Sequence, residues 1–282
     1  MTERVSRFSR AEAPRPFVLT ARDAEIVLAC WSHRWLTRQQ LQRIVTLPGA
    51  GRTNDRLRRL FDAGLLARLR AGTVGAGLQP VYAAGEAAVR LIARDSGLAE
   101  AHVRARLRDD AQASAVLLPH DLQANDLRIA LSAAAARRDD LRMEAWLNAY
   151  EAYDAYAAGR SLRPDGYFQV WQADTLHAFY VELDRGTTGL PRWSAKCSRY
   201  AEYRNDGHYA RRHGLQRFRV LTTTTSERRL QELRAATERI ASRGFWFALT
   251  QELLDDAAPG RMVWRPAGRE ERRALIPEAP GR

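Results

Sequence analysis

The chain has 282 residues, enough for two domains that each bury a core, and a hydrophobic content of 45% excludes global disorder. No apolar run approaches the roughly 18 residues of a membrane span, and the N-terminus lacks a signal peptide's apolar core, so we expect a cytoplasmic protein without a membrane partner. The net charge is +12, and the first 115 residues carry 19 arginines against 11 acidic residues, which favours a polyanionic partner.

Three helices are predicted at the front of the chain. Thr20 is a good N-cap for the first, and Thr37 caps the second with Gln40 at capping-box spacing. The third helix covers residues 52–63 and stops at Gly64. Its Leu57, Leu60 and Phe61 stand at i, i+3 and i+4 and form the buried stripe, while its arginines lie elsewhere on the surface.

Two short strands around a glycine-rich stretch follow, at residues 65–70 and 80–83. Three helices and a hairpin predict a winged helix-turn-helix that places its third helix in the major groove of DNA and its hairpin on phosphates. The alternative is a winged helix used only for protein contacts. The predicted DNA-binding residues are Arg38, Arg52, Asn54, Arg56, Arg59, Arg68 and Arg70.

The second half of the chain is predicted to be a small mixed α/β domain, so that the whole protein is of the α+β class. Its elements alternate in the order helix, three strands, helix, strand, helix, strand, which implies helices packed on a mixed sheet. The predicted boundaries are a flexible tail at 1–16, the winged helix-turn-helix at 17–95, a connection at 96–118, the second domain at 119–265 and a tail at 266–282.

An acidic cluster is predicted on the strand that ends near residue 184. Glu182 and Asp184 share one face of that strand, where two carboxylates are costly unless a metal, an arginine or water compensates them. Asp165, on the neighbouring strand, can join them, and three oxygen donors suit Mg²⁺ or Mn²⁺. The chain's one lysine, Lys196, follows on a helix and could orient a water or neutralise a phosphate.

The alternative is that these acids have a structural role and form ion pairs with arginines. Three arginines nearby in the sequence are available for this, namely Arg163, Arg185 and Arg192. The sequence leaves both interpretations open.

The arrangement from Phe17 to Trp264 resembles the replication-relaxation family of plasmid and integrative-element proteins. The matching stretches are Leu36-Thr37-x-x-Gln-Leu41, Arg56-Leu-x-x-Leu60-x-x-x-Gly64-Leu65-Leu66, His120-x-Leu-x-x-Asn125-Asp126, Arg163-Pro-Asp165-Gly, Glu182-Leu-Asp184-Arg185-Gly186-Thr187, Lys196 and Tyr200. The resemblance implies a winged helix joined to a domain similar to PD-(D/E)XK nucleases. It would make Asp165, Glu182, Asp184 and Lys196 the catalytic residues, with the first three binding the metal.

The chain departs from the strict nuclease pattern, since the third signature position holds Asp184 instead of lysine, and Lys196 would have to substitute. Three functions therefore stay open. The first is a DNA-binding protein for replication or mobilisation of a mobile element, with the nuclease-like fold as scaffold. The second is an active Mg²⁺-dependent endonuclease, and the third is a repressor or antitoxin-like regulator. Double-stranded DNA is the expected partner; a homodimer and a replication or transfer protein partner are left open.

Overall fold

The computed structural model describes residues 8–12, 16, 18–45, 47, 49–70, 80–111, 118–186, 188–241, 243–253 and 258–277. The chain divides into two compact units, residues 1–125 and 126–282, with the division inside one helix. The architecture is mixed α+β, as predicted. Among the described residues, none of the helices has the length and apolar character needed to cross a lipid bilayer.

The described residues of the first unit form five α-helices, the start of a sixth and a three-stranded antiparallel sheet of order β1-β3-β2. The helices are α1 (Ala21–His33), α2 (Arg38–Ile44), α3 (Ala50–Asp62), α4 (Val89–Ser96), α5 (Glu100–Ala111) and α6 (Leu118–Ala135), and the strands are β1 (Leu36–Thr37), β2 (Leu66–Arg70) and β3 (Pro80–Ala84). The three predicted front helices and the two strands are confirmed.

Local hydrogen bonds explain where the front helices begin. Thr20 and Thr37 each form a complete capping box, with Asp23 and Gln40 as the reciprocal partners. Leu57, Leu60 and Phe61 of α3 are buried, as the helical spacing predicted. The arginines Arg52 and Arg59 of the same helix remain exposed.

Glycine fixes the junction between α3 and the sheet. The amide of Gly85 donates to the carbonyl of Leu65 at 2.8 Å, and a Cβ at Gly85 would lie 2.2 Å from the carbonyl oxygen of Gly64. Gly64 itself has a φ of 76°, which L-residues with a Cβ rarely adopt. The close approach holds the ends of β2 and β3 against the end of α3.

The described parts of three predicted connecting or terminal regions contact the folded units. The predicted connection 96–118 contains α5, whose Val103 and Leu107 are buried in the first unit. In the predicted N-terminal tail, the amide of Ala11 donates to Asp62 at 3.1 Å. In the predicted C-terminal tail, Leu275 is buried because this segment folds back on the second unit.

The second unit is built on a six-stranded mixed sheet of order β11-β10-β9-β8-β7-β4. Its strands are β4 (Leu141–Asn148), β7 (Gly166–Gln172), β8 (Thr175–Leu183), β9 (Arg219–Thr224), β10 (Phe245–Leu249) and β11 (Arg265–Pro266), and its helices are α7 (Ala149–Ala152), α8 (Leu190–Asn205), α9 (His208–His213) and α10 (Glu227–Glu238). The strands β4, β7 and β8 are antiparallel neighbours, whereas β8, β9 and β10 run parallel.

The predicted order of elements holds, and the structure adds a few short ones. A hairpin of β5 (Asp154–Ala157) and β6 (Arg160–Leu162) occupies the tyrosine-rich stretch. The short helix α9 connects α8 to β9 and is bounded by the left-handed glycines Gly207 and Gly214. The main core packs one sheet face, including Tyr180, against α8 and α10. The candidate acidic residues lie at the edge of this core.

Candidate functional site

Asp165 is held next to the end of β8 by backbone hydrogen bonds. Its amide donates to the carbonyl of Val181 at 2.9 Å, and its Oδ2 accepts from the amide of Leu183 at 2.7 Å. Asp165 immediately precedes β7, which pairs with β8, so the register of the two strands sets its position. The half-buried carboxylate is thus brought beside the strand that carries the other two candidate acids.

Glu182 projects from β8 into the core, where only 3% of its surface is exposed. Its Oε2 accepts a short hydrogen bond from Nζ of Lys196, and its Oε1 accepts from the hydroxyl of Tyr200 at 2.6 Å. Lys196 and Tyr200 are four residues apart on α8 and so lie on one helix face. The structure therefore brings Glu182 and Lys196 together, and it adds Tyr200, which the sequence gave no role.

The charges of Asp165, Glu182 and Lys196 interact. Burial raises the pKa of Glu182 to about 7, the nearby charge of Asp165 adds to this rise, and Lys196 opposes it. Burial would lower the pKa of Lys196, but the two carboxylates outweigh it, so its pKa lies above the ordinary value. Two acids and one ammonium therefore form one electrostatic cluster, the acid-lysine cluster, with a buried carboxyl group that titrates near neutral pH.

Asp184 follows β8 on the same side but has other partners. Arg229 on α10 donates from Nε to Oδ2 at 2.9 Å and from Nη2 to Oδ1 at 3.1 Å, and Thr224 donates to Oδ2 at 3.0 Å. Burial would raise the pKa of Asp184, but the hydrogen bonds from Arg229 and Thr224 hold it below its usual value. Asp184 is thus an ionised carboxylate in a bidentate ion pair with Arg229.

The arginine of this pair was missed in the sequence. Arg163, Arg185 and Arg192, the arginines available by proximity in sequence, are exposed, whereas Arg229 lies 45 residues beyond Asp184. The order of elements contains one clue to this pair. Arg229 lies on α10, which directly follows β9, and β9 is the parallel neighbour of β8, whose end carries Asp184. Within the described ranges, no three His, Cys, Asp or Glu side chains are grouped to hold a metal ion.

A basic groove lies on the first unit between α2, α3 and the strands β2 and β3. It encloses about 440 Å³ and is lined by Arg38, Asn54, Asp55, Arg58, Arg68, Pro80 and Tyr82. The guanidinium of Arg68 lies 4.6 Å from the ring centre of Phe61 and 5.4 Å from that of Tyr82, so its orientation is fixed. The groove brings together three of the predicted DNA-binding residues and adds Arg58.

The remaining predicted DNA-binding residues occupy different environments. Arg52 and Arg59 are exposed on α3. Arg56 instead donates to the buried Asp23 at 2.7 Å and to the Thr20 hydroxyl at 3.0 Å, which joins α3 to the start of α1. The side chain of Arg70 lies outside the described residues, so its assignment stays a prediction.

The comparison with known families decides what kind of chain this is. The model of the replication-relaxation family matches residues 30–218, which include the end of α1, the helices α2 to α9 and every residue of the acid-lysine cluster. The chain belongs to the replication-relaxation family. No curated protein and no solved structure matches the chain. Membership points to a role in replication or in a mobile genetic element.

Proposed function

We propose that this replication-relaxation protein binds double-stranded DNA through its first unit, in the service of replication or transfer of a mobile element. The observation that carries this proposal is the basic groove. Its three arginines and one asparagine come from α2, α3 and β2, the elements that a winged helix-turn-helix presents to DNA. Two further exposed arginines of α3, Arg52 and Arg59, extend the positive surface.

The arrangement also matches the division of labour at a DNA interface. Exposed arginines on a helix can neutralise phosphates, while an arginine with a fixed orientation and a neighbouring amide can read base edges. Arg68 is fixed between two aromatic rings, and Asn54 lines the same groove. The groove therefore supplies the residue types for base contacts, and α3 supplies those for phosphate contacts.

Salt dependence of duplex binding tests this proposal. Each arginine–phosphate contact releases condensed counterions, so affinity measured by fluorescence anisotropy should fall steeply as salt rises. Arg52→Ala with Arg59→Ala should weaken binding and lower the slope of log affinity against log salt by about two. Arg228→Ala, on α10 of the second unit, serves as the matched control with an exposed arginine. A flat salt dependence would refute the proposal.

A second candidate function, Mg²⁺-dependent cleavage of DNA, is favoured by the acid-lysine cluster. A PD-(D/E)XK nuclease-like domain was predicted with the order helix, three strands, helix, strand. In this chain that order corresponds to α6, β4, β7, β8, α8 and β9. In that correspondence Asp165 opens the second strand and Glu182 lies on the third. Lys196 reaches Glu182 from the following helix and substitutes for the lysine that the third signature position lacks.

The residues of the cluster fit a magnesium ion. Mg²⁺ is usually held by one or two carboxylates with waters and substrate phosphates. The two described hydrogen bonds to Glu182 occupy about half of the acceptor sites of a carboxylate, and Asp165 uses only Oδ2 in its described bond. Asp165 and Glu182 would hold the ion, whereas an ion at Asp184 would have to displace Arg229.

The chain's own groups suit phosphodiester cleavage. The bound metal would polarise a phosphate oxygen and acidify a water. The ammonium of Lys196, whose pKa is raised, stays protonated and adds positive charge beside the same position. Glu182, with a pKa of about 7, can accept or release a proton at neutral pH. Tyr200 keeps the carboxylate of Glu182 oriented.

A supercoiled-plasmid nicking assay with Mg²⁺ tests this second candidate. The unaltered protein should convert supercoiled plasmid to open circles, and Lys196→Ala and Glu182→Gln should each reduce the rate at least about 100-fold. Glu232→Gln, a change of the same chemical type on α10, should have no effect. Nicking that persists in both cluster variants would exclude this centre. No nicking by the unaltered protein would leave the first proposal, with the nuclease-like unit as scaffold.

A further inference from the structure

Two exposed tyrosines precede Asp165, the first residue of the acid-lysine cluster, by 15 and 12 residues in sequence. Among the described residues, Tyr150 and Tyr153 are the aromatic side chains that remain exposed, at 85% and 41% of their surface. Both precede the β5–β6 hairpin, and Asp165 follows the same hairpin. Contiguous exposed apolar surface rimmed by polar residues commonly marks a binding site, which makes this pair of rings a candidate.

The segment that carries these tyrosines is held in place by hydrogen bonds. Asn148 caps α7 by accepting from the amides of Tyr150 and Glu151, and the carboxylate of Glu151 accepts from the amide of Asn148. Arg212 on α9 then donates to the carbonyls of Glu151 and Tyr153, both at 2.9 Å. The rings are therefore presented by a fixed backbone, which lowers the entropy cost of binding a ligand.

An arginine accompanies the tyrosines. The guanidinium of Arg163 lies 5.1 Å from the centre of the Tyr153 ring, and Arg163 is exposed. It precedes Asp165 by two residues, a distance of at most about 7 Å along the backbone. Arg185 and Arg192, also exposed, follow Asp184 and precede Lys196. These three exposed arginines therefore lie between Tyr153 and Lys196 in the sequence.

We infer that Tyr150, Tyr153 and Arg163 form a stacking platform for single-stranded DNA beside the acid-lysine cluster. Exposed rings together with a planar guanidinium fit the faces of unstacked bases, and arginines fit the phosphates between them. Bases in an intact duplex are already stacked on each other, so their faces are inaccessible to these side chains. Single-strand binding by the platform would be a second activity, in addition to the proposed duplex binding by the first unit. It does not require that the protein cleaves DNA.

The chain order is compatible with a strand that passes from the platform toward the cluster. Arg163 contacts the Tyr153 ring, and the backbone from Arg163 to Asp165 spans at most about 7 Å, which a short oligonucleotide can bridge. A strand stacked on Tyr153 would therefore continue toward Asp165 of the cluster. The negative charge of Asp154 does not oppose this path, because Arg212 and the hydroxyl of Tyr203 hold it at 3.1 Å and 2.5 Å.

Anisotropy measurements on the full-length protein with two separate probes test the platform. The probes are a labelled oligo(dT) of about 16 nucleotides and a random duplex. Tyr150→Ala with Tyr153→Ala should weaken oligo(dT) binding at least about tenfold and change duplex affinity less than about twofold. Tyr150→Phe with Tyr153→Phe, which keeps both rings, should bind oligo(dT) like the unaltered protein. Met262→Ala is the matched control for loss of an exposed apolar side chain.

Unchanged oligo(dT) affinity in the double alanine variant, or equal losses for both probes, would overturn the platform, and so would binding of a protein partner in place of oligo(dT). A second measurement covers the case that the alanine variant does not fold. Single-stranded DNA that contains bromodeoxyuridine should crosslink to Tyr150 or Tyr153 of the unaltered protein on irradiation. Crosslinks confined to other residues would also overturn the inference. Failure of the duplex proposal is distinguishable, since it appears as a flat salt dependence with the duplex probe alone.

Discussion

The surface of α3 in the first unit and the end of β8 in the second unit place their charges in opposite ways. Helix α3 leaves the cations Arg52 and Arg59 exposed, whereas the end of β8 buries two carboxylates, since Glu182 is 3% and Asp184 is 4% exposed. A solvated charge costs little and stays available to a ligand, while a buried charge costs several kcal/mol, on the order of the whole stability of a domain, unless a partner compensates it. Removing an exposed arginine of α3 should therefore affect binding, whereas removing the partner of a buried carboxylate should affect stability.

The second unit also compensates its two neighbouring acids differently. Asp184 receives two bonds from one guanidinium, and its pKa falls, whereas the burial of Glu182 outweighs its bond from Lys196, and its pKa rises. The difference indicates that Asp184 is fixed as a structural anion. Glu182 instead has a protonation state that responds to pH and to any ligand charge placed near it.

The largest effect is expected from the Asp184–Arg229 pair. Arg229→Ala leaves a buried carboxylate without its main partner, and the free energy of unfolding should drop by about 3 to 5 kcal/mol. Chemical denaturation measures this change. Arg228→Ala removes the adjacent arginine on the same helix, whose side chain is 91% exposed, and should alter stability by less than about 0.5 kcal/mol. Equal effects of the two variants would show that Asp184 does not need Arg229.

A somewhat smaller effect, with a defined pH range, is expected at Glu182. Its folded-state pKa of about 7 lies above the ordinary 4.5, so the folded protein retains a proton that the unfolded chain has lost. The stabilisation from this group is complete below about pH 4.5 and is lost as the pH rises through about 7. The glutamine of Glu182→Gln does not ionise, so this variant lacks the pH-dependent loss. Its stability relative to the unaltered protein should therefore rise over this range by up to about 3 kcal/mol.

Denaturation curves of both proteins between pH 5 and 8, roughly the range of the shift, measure this difference. Burial and the charge of Arg212 lower the pKa of His213 to about 4, so His213 alone makes stability rise with pH over an overlapping range. That contribution is common to both proteins and cancels in the difference. A difference that does not change with pH would mean that Lys196 keeps Glu182 ionised throughout.

Features set by neighbours in sequence were predictable, and features set by tertiary pairing were not. The capping bonds of Thr20 and Thr37 span three residues, and the alternation of β8 placed Glu182 and Asp184 on one side without knowledge of the fold. The Asp184–Arg229 pair spans 45 residues and depends on α10 following the strand parallel to β8. No local pattern distinguishes Arg229 from the other arginines of the chain.

The same reason explains the divergent environments of Arg56 and Arg59. Both belong to the polar surface of α3, and the sequence assigned both to DNA. Arg56 turns to Asp23 of α1 over 33 residues, a contact that helical periodicity does not reveal. The exposed Arg59 keeps the environment expected of a phosphate ligand.

The smallest effects are therefore expected from these two arginines, and they should be of different kinds. Arg56→Ala leaves Asp23 buried without its arginine and should lower the free energy of unfolding by about 1 to 3 kcal/mol, with little change in duplex affinity. Arg59→Ala should leave stability unchanged and lower the salt slope of duplex binding by about one. Denaturation and anisotropy on the same two variants measure both quantities. If Arg56→Ala lowers the slope as much as Arg59→Ala does, the guanidinium leaves Asp23 for a phosphate when DNA binds, and the contrast between surface charges that bind and buried charges that stabilise fails inside the first unit itself.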